Sequence, residues 1–310
     1  MANSPRHLFF STPKGGMSDL AIHPFLRHPG ALAIAHRGGS LEAEENTMAA
    51  FAHAVALGYS HVELDVHATC DGTIVIHHDP DLTRICADPR RIAELDLPTL
   101  RGVRTRAGAQ IPLLADVLNA YPRLHLTIEM KSDAVVAPLC KLLDRMQVLD
   151  RVCLGAFAPA RTAAARKLLG ARLLWSPAHG QVARLWARGW GLPLPLALFQ
   201  VVQIPVTWKG IPVLTRRFVR AAHDAGVKVQ VWTVNDRPEM ERLLDLGVDG
   251  IMTDRPEALR DVLRARGQWP LAGEQQHHDS GIEQIGRHQN EDMPDRKMVA
   301  QPRPEIKRNP

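Results

Sequence analysis

Four glycines, each placed directly after a helix-like pattern and shortly before an apolar run, limit the folds open to this chain. They stand in Leu57-Gly58, Leu169-Gly170, Ala225-Gly226 and Leu246-Gly247. Glycine just past the end of a helix readily takes the left-handed backbone conformation that other residues resist. Four such junctions indicate repeated crossovers from helix to strand, which join parallel neighbours. The sequence therefore predicts an α/β fold with a parallel sheet.

Eight apolar runs can supply the strands of that sheet. The predicted strands cover residues 32–36, 61–66, 124–130, 152–157, 171–176, 200–204, 227–234 and 249–253. Eight strands alternating with helices over about 250 residues are typical of a TIM (β/α)8 barrel. We expect the barrel over residues 31–270, after an N-terminal extension, 1–30. The remaining residues, 271–310, contain no aromatic side chain and little periodicity, so we expect a disordered tail.

The composition argues against several other classes of protein. With 310 residues, 45% of them hydrophobic, the chain can bury a large core. Its net charge of +5 comes from basic residues that form no runs, which gives little support to nucleic-acid binding. The four cysteines lack paired spacing and indicate reduced thiols. Neither the apolar core of a signal peptide nor a membrane span is recognisable, and we expect a cytoplasmic protein.

Two carboxylates follow each other at alternate positions in the second predicted strand. Glu63 and Asp65 lie in the sequence His-Val-Glu-Leu-Asp-Val. Because side chains alternate across a strand, both carboxylates point to one face and the neighbouring valines and leucine to the other. Two acids on one face near a strand end suit a hard divalent cation with oxygen ligands.

A predicted hairpin follows this strand and determines which of two adjacent histidines faces the carboxylates. Residues 69–72, Thr-Cys-Asp-Gly, form a turn signal, so we interpret residues 73–78 as its returning arm and not as a barrel strand. A two-residue turn at this signal places His78 opposite Glu63, on the face of the carboxylates, and His77 on the other face. A shift of one residue would exchange the two histidines.

Several short motifs around these residues occur in a fixed order. They are His-Arg-Gly at 36–38, Glu-Asn-Thr at 45–47, Glu-x-Asp-Val at 63–66, Thr-x-Asp-Gly at 69–72, His-Asp-x-x-Leu at 78–82, Glu-Met-Lys at 129–131, Trp-Thr-Val-Asn at 232–235 and Asp-Gly-Ile-Met-Thr-Asp at 249–254. In order and spacing, residues 31–266 resemble the glycerophosphodiester phosphodiesterases. One departure is Glu44, which stands where that family usually has proline and removes no chemical group.

The resemblance implies a site at the mouth of the barrel, where the carboxyl ends of the strands meet. It implies that Glu63, Asp65 and Glu129 bind the metal, and three carboxylates without cysteine favour Ca²⁺ or Mg²⁺ over zinc. It further implies that His36 and His78 are the catalytic acid–base pair. The residues that we expect to bind the substrate are Arg37, Glu45, Lys131 and Trp232.

Three functions are compatible with this set of residues. The first is metal-dependent hydrolysis of a small-molecule glycerophosphodiester to sn-glycerol 3-phosphate and an alcohol, with the two histidines transferring protons. The second is cleavage of lysophospholipids by the same site, as in the related lysophospholipase D enzymes. The third is a phosphodiester-binding module without catalysis, which we disfavour because every acid, base and ligand position of the family is occupied.

Some of these residues also have a purely structural interpretation. Asn46 is expected to cap the helix that follows it, and Glu45 could either support that cap or bind a substrate hydroxyl. A tryptophan such as Trp232 lies in a core more often than in a site.

Two connecting segments interrupt the barrel pattern. Residues 79–112 contain no long helical pattern and are expected to form a small excursion over the mouth. Residues 183–199 are apolar, with two tryptophans and several prolines. They could be a helix packed on the barrel exterior, or a surface that contacts lipid acyl chains. A histidine pair in the tail, His277-His278, is interpreted as solvated.

Overall fold

A computed structural model describes residues 21–269, and it contains the predicted barrel. Its strands are β1 Leu32–His36, β2 His61–Ala68, β3 Ile74–Ile76, β4 His125–Met130, β5 Val152–Gly155, β6 Leu174–Trp175, β7 Val201–Pro205, β8 Thr207–Trp208, β9 Ile211–Pro212, β10 Lys228–Trp232 and β11 Gly250–Thr253. Eight of them pair in parallel in the order β6-β5-β4-β2-β1-β11-β10-β7. The sheet is a nearly closed eight-stranded barrel with a gap between β6 and β7, so the predicted fold class is confirmed.

Helices connect these strands on the outside of the barrel. They are α1 Met48–Ala56, α2 Thr83–Cys86, α3 Leu97–Arg101, α4 Leu114–Ala120, α5 Val136–Met146, α6 Pro159–Leu169, α7 His179–Arg188, α8 Arg216–Asp224, α9 Arg237–Leu246 and α10 Pro256–Ala265. The glycines after α1, α6, α8 and α9 all have positive φ, between +69° and +93°. These glycines follow the ends of their helices as predicted, because a positive φ interrupts the helical hydrogen bonding; Gly170 does so with an extended ψ of −152°.

Alternation along the strands separates the core from the site. In β2, Val62, Leu64 and Val66 are fully buried against the surrounding helices. Glu63 and Asp65 project from the opposite face, toward the inside of the barrel. The amino end of the barrel is closed by a short helical turn in which Phe25 is fully buried against His61 and His125. The carboxyl end is the open mouth.

The hairpin after β2 exists, but its predicted register is wrong by one residue. β3 pairs antiparallel with β2, with Val66 opposite Ile76, so the loop contains three residues and not two. Its last residue, Gly72, has φ +79°, as expected for three-residue hairpin loops. Continued in this register, the pairing would bring His77 toward Asp65. The strand ends at Ile76, however, and alternation no longer decides where the histidines point.

The two interrupting segments differ in how well they were predicted. Residues 79–112 contain the short helices α2 and α3, one 3-10 turn at Ile92–Glu94 and a small separate core around Leu82, which agrees with the expected excursion. Residues 183–188 belong to α7, whereas residues 189–200 have no regular structure. A second hairpin, β8–β9, was not predicted. Among the described residues, no helix is long and apolar enough to cross a membrane. The predicted tail lies outside the described residues.

Candidate active site

A cavity of about 570 Å³ opens at the carboxyl ends of the strands. Seven of the nine predicted site residues line it: His36, Arg37, Glu63, His78, Glu129, Lys131 and Trp232. The other two are Asp65, which lies beneath the cavity floor at 1% exposure, and Glu45, which lies behind Arg37. The fold thus brings residues from four strands and three loops to one place.

The three predicted metal ligands form a cluster. Glu63, Asp65 and Glu129 each offer a carboxylate oxygen, and these oxygens all lie within 4.8 Å of one another. Two features of the sheet produce this arrangement. Glu63 and Asp65 share a face of β2, and the parallel pairing of β2 with β4 sets Glu129 beside Asp65.

Three carboxylates so close together repel one another. Burial and the neighbouring Asp65 raise the pKa of Glu63 to about 8. Burial also raises the pKa of Glu129, although Lys131 partly offsets it. For Asp65, burial disfavours the charged form, but Lys131, Arg37 and Asn46 outweigh it and its pKa is lowered. Without a bound cation, Glu63 therefore keeps its proton up to about pH 8, which reduces the negative charge of the cluster.

The cluster has the properties of a site for a hard divalent cation. Its donors are all carboxylate oxygens, which suit Ca²⁺ or Mg²⁺. The buried Oδ1 of Asp65 accepts no hydrogen bond among the described residues, although Lys131 Nζ lies 3.2 Å away. A buried charged oxygen without a hydrogen-bond donor is unfavourable unless a cation compensates it. These observations fit a metal bound by Glu63, Asp65 and Glu129.

Asn46 supports this cluster, and the capping role expected for it is wrong. The helix α1 is capped by Thr47, whose hydroxyl accepts a hydrogen bond from the amide of Ala50. Asn46 instead has a positive φ of +57° and donates from Nδ2 to Asp65 Oδ2 at 3.0 Å. Its side chain thereby orients one carboxylate of the cluster. Asparagine tolerates the left-handed conformation better than most residues, which indicates why it stands here.

His36 is oriented by a carboxylate from the last strand. Its Nδ1 lies 2.6 Å from Asp254 Oδ1, and its Nε2 lies 3.7 Å from Glu63 Oε2. Asn235 Nδ2 donates to the other oxygen of Asp254 at 2.8 Å. Burial lowers the tendency of His36 to protonate, but Glu63 and Asp254 outweigh burial and its pKa is raised. The motif at residues 249–254 includes Asp254, but its hydrogen bond to His36 was not predicted from the sequence.

His78 has a similar arrangement on the other side of the cavity. Its Nδ1 lies 2.7 Å from Asp79 Oδ1, and Arg84 donates to the other oxygen of Asp79 at 2.6 Å. His77 points away from the cavity, with Nε2 3.2 Å from the carbonyl oxygen of Asp81. The structure thus brings His78, and not His77, to the cavity, although the register argument that selected it was wrong.

Glu45 does not cap α1. It links Arg84, which contacts Asp79 beside His78, to Arg37, which contacts Asp65. Its carboxylate accepts two hydrogen bonds from Arg84, at 2.7 and 2.9 Å, and one from Arg37 at 3.1 Å. Arg37 Nε in turn lies 3.2 Å from Asp65 Oδ2. Glu45 therefore fixes both arginines, and its predicted contact with a substrate hydroxyl stays a prediction.

One wall of the cavity is apolar. Trp232 belongs to this wall, and its ring centroid lies 5.8 Å from that of Phe157. Further along, the wall is built from α7 and the β8–β9 hairpin, which contribute Trp186, Trp208 and Ile211. A hydrogen bond from Trp186 Nε1 to the carbonyl oxygen of Pro212 joins these two elements. Residues 183–199 are therefore neither purely exterior nor wholly in the cavity, because only Ala183 and Trp186 line it.

Comparisons with known proteins agree with this geometry. Residues 36–258 match the model of the glycerophosphoryl diester phosphodiesterase family. A probable glycerophosphodiester phosphodiesterase 2 from Mycobacterium tuberculosis is 38% identical over 79% of this chain and 95% of its own. Lysophospholipase D GDPD1 from Mus musculus is 29% identical over 74% of this chain and 85% of its own.

A solved structure shares the fold. It is a phosphodiesterase from Oleispira antarctica in complex with the product sn-glycerol-3-phosphate, with a TM-score of 0.63 and 23% identity. The alignment covers 76% of this chain and 97% of that protein. Because the family match covers well over half of the chain, and a relative is 38% identical over 79% of it, the chain belongs to the glycerophosphoryl diester phosphodiesterase family of hydrolases.

Proposed function

We propose that the protein hydrolyses glycerophosphodiesters to sn-glycerol 3-phosphate and an alcohol, with a divalent cation and two histidines. The observation that carries this proposal is the meeting of His36, His78 and the Glu63–Asp65–Glu129 cluster in one cavity. Each histidine has a carboxylate at Nδ1, which leaves Nε2 for the substrate. This is the arrangement that proton transfer by a pair of histidines requires.

The cation would be held by Glu63, Asp65 and Glu129. When bound, it would polarise a phosphoryl oxygen and neutralise part of the charge that develops there. Lys131 and Arg37 also line the cavity and place positive charge next to the cluster. Their role is to attract and orient the phosphodiester anion, which would otherwise be repelled by the carboxylates.

Proton transfer by the chain itself follows from the chemistry of the substrate. A glycerol diester carries a hydroxyl next to the phosphate, so the enzyme needs no nucleophile of its own. One histidine accepts the proton of that hydroxyl as its oxygen bonds to phosphorus, and the other donates a proton to the departing alcohol oxygen. Water then opens the cyclic phosphate with the two roles reversed, and sn-glycerol 3-phosphate leaves.

Asp254 and Asp79 hold the two histidines in the orientation that proton transfer requires. A carboxylate at Nδ1 fixes the ring orientation and the tautomer, and it stabilises the protonated ring between the two steps. Asp79 is itself fixed by Arg84, and Asp254 by Asn235. We therefore assign both aspartates positioning roles.

The apolar wall favours a second candidate, cleavage of lysophospholipids. A glycerophosphodiester with a small head group has nothing to place against Trp186, Trp208 and Ile211, whereas an acyl chain would bury apolar surface there. The resemblance to a mouse lysophospholipase D supports the same candidate. The non-catalytic module is disfavoured because His36, His78, Glu63 and Glu129 line one cavity, and Asp65 lies directly beneath it.

A substrate panel separates these candidates. Purified protein is incubated with glycerophosphocholine, glycerophosphoethanolamine and lysophosphatidylcholine, and the phosphorylated products are identified by mass spectrometry. We expect sn-glycerol 3-phosphate from the first two. Absence of turnover of all three would contradict the proposed function, and a preference for lysophosphatidylcholine would select the second candidate.

A single substitution tests the role of the wall. Trp186→Ser removes an aromatic side chain from the wall and none from the acid–base pair. If an acyl chain lies there, we expect the KM for lysophosphatidylcholine to rise about tenfold, while turnover of glycerophosphocholine is unchanged. Equal losses on both substrates together with a lower Tm would mean that Trp186 is structural.

A further inference from the structure

Acidic and basic residues are distributed unevenly along the chain. Residues 151–223 contain eleven lysines and arginines and no aspartate or glutamate. The remaining residues of the chain contain 27 basic and 33 acidic side chains. The acid-free segment includes α7, the irregular residues 189–200, the β8–β9 hairpin and most of α8. It therefore contains the whole apolar wall of the cavity that lies beyond Trp232 and Phe157.

The same segment exposes large apolar side chains around the cavity. Trp190 is 55% exposed, Leu192 56%, Leu198 57% and Ile211 60%. Trp208 is also exposed, at the tip of the hairpin. Scattered apolar residues on a surface need no explanation, but a contiguous group of large ones often marks an interaction surface.

Contacts join the exposed Trp190 to the cavity wall. The Trp186 and Trp190 ring centroids are 5.6 Å apart, and Arg217 lies over Trp190 with its guanidinium carbon 4.2 Å from the ring centroid. Trp186 also reaches the hairpin through its hydrogen bond to Pro212. The group thus extends from the cavity wall, through Trp186, to solvent-exposed tryptophan and arginine.

The hairpin tip has the composition of a membrane-surface element. Its sequence Trp208-Lys209-Gly210-Ile211 is a two-residue turn with positive φ at Lys209 and Gly210. Tryptophan and lysine are favoured where a protein meets the headgroup region of a bilayer, because the ring and the aliphatic stem suit the apolar side while the polar ends stay hydrated. Lys209 makes no hydrogen bond or ion pair within residues 21–269.

We propose that this surface, formed by residues 184–217 around the cavity mouth, docks the protein on anionic lipid bilayers. The partner is favoured by charge complementarity: residues 184–217 contain five basic side chains and no acidic one, and none of the five forms an ion pair within residues 21–269, which suits phosphatidylglycerol-like headgroups. The exposed tryptophans and leucines would enter the interfacial region beside them. The bound enzyme would then present its cavity to the layer from which lipid-derived diesters come.

This docking is independent of the proposed reaction and can be measured without turnover. The full-length protein is sedimented with vesicles of phosphatidylcholine mixed with phosphatidylglycerol, and with vesicles of phosphatidylcholine alone. We expect binding to the mixed vesicles that weakens as salt is added, and little binding to the neutral ones. Equal binding to both, or binding to neither, would overturn the proposal.

Two variants locate the surface. Lys209→Asp with Arg216→Glu reverses two exposed charges that make no side-chain hydrogen bond among the described residues. We expect its affinity for the mixed vesicles to fall at least about 30-fold. Trp190→Ser with Leu192→Ser removes exposed apolar area and should weaken binding about tenfold at unchanged charge. Neither pair includes a residue of the catalytic machinery or of the cavity lining, so turnover of soluble glycerophosphocholine should be unchanged.

A matched control reverses the same amount of charge elsewhere. Lys141 in α5 and Arg264 in α10 are exposed, and Lys141→Asp with Arg264→Glu should bind the mixed vesicles like the parent protein. An equal loss in this control would mean that net charge alone attracts the protein, which would overturn the assigned surface. Melting temperatures of all variants identify any loss of fold.

Two other occupants are distinguished by the same proteins. If residues 184–217 bind nucleic acid, a DNA duplex would compete with the vesicles and the Trp190–Leu192 variant would bind it normally. If they bind a second copy of the chain, gel filtration would show a dimer that this variant converts to monomer. Either result would overturn docking on a bilayer.

Discussion

Replacement of Asp254 by asparagine should slow turnover without preventing substrate binding. Asp254 Oδ1 lies 2.6 Å from His36 Nδ1, and the pair is only partly exposed. A hydrogen bond to a charged group contributes about 1.5–3 kcal/mol. If the protonated His36 loses this hydrogen bond in the transition state, kcat should decrease about 10- to 150-fold. KM should change little, because Asp254 does not line the cavity.

The pH dependence gives this prediction a second readout. In the parent protein, burial opposes protonation of His36, while Glu63 and Asp254 outweigh burial and raise its pKa. Without the Asp254 carboxylate, the protonated ring loses a stabilising neighbour and its pKa falls. The limb of the pH–rate profile that depends on His36 should therefore move to lower pH in Asp254→Asn. Initial rates on glycerophosphocholine over a range of pH measure both the limb and kcat.

The barrel offers a matched control for this variant. Asp249 also pairs with a histidine, His223, at 2.7 Å, but it lies at the amino end of the barrel. Asp249→Asn should lower Tm and leave kcat within about twofold of the parent value, because no residue near it reaches the cavity. Equal losses of kcat in the two variants, or an unchanged pH profile in Asp254→Asn, would refute the positioning role of Asp254.

Three further predictions concern the remaining site residues. Asn46→Gly keeps the left-handed backbone and removes the hydrogen bond to Asp65, so metal affinity measured by calorimetry should fall about 10- to 100-fold; an unchanged affinity would contradict its role. His78→Ala should lower kcat at least about a hundredfold, whereas His77→Asn should lower mainly Tm; the reverse order would mean that His77 is catalytic. Because the pKa of Glu63 is raised to about 8, metal binding below that pH must displace a proton. Its apparent affinity should rise about tenfold per pH unit and level off above pH 8, and calorimetry in two buffers of different ionisation enthalpy should detect the released proton.

Local patterns were sufficient to predict the barrel, whereas the roles of the site residues were implied by the family resemblance. A glycine after a helix and an apolar run are determined within a few residues, and all eight predicted strands are present. The alternation of Glu63 and Asp65 along β2 likewise depends only on the period of a strand. The carboxyl ends of parallel strands then bring Glu129, Lys131 and Trp232 to the same mouth without further information.

The errors arose where geometry depends on one residue or on distant partners. The hairpin register changed because its loop has three residues, a difference that the turn signal at residues 69–72 does not resolve. Asn46 was assigned to a helix cap because capping is a local property, whereas its partner Asp65 is 19 residues away. Asp254 lies 218 residues from His36, so no local pattern could pair them.

The requirement for a divalent cation tests the account most directly. Protein freed of metal by a chelator and then desalted is assayed on glycerophosphocholine, alone and with added Mg²⁺, Mn²⁺ or Ca²⁺, beside the Glu63→Gln variant. The account predicts no turnover without metal, recovery with at least one of these cations, and a weaker metal affinity in the variant. Full turnover by the metal-free protein would contradict the assignment of Glu63, Asp65 and Glu129 as metal ligands.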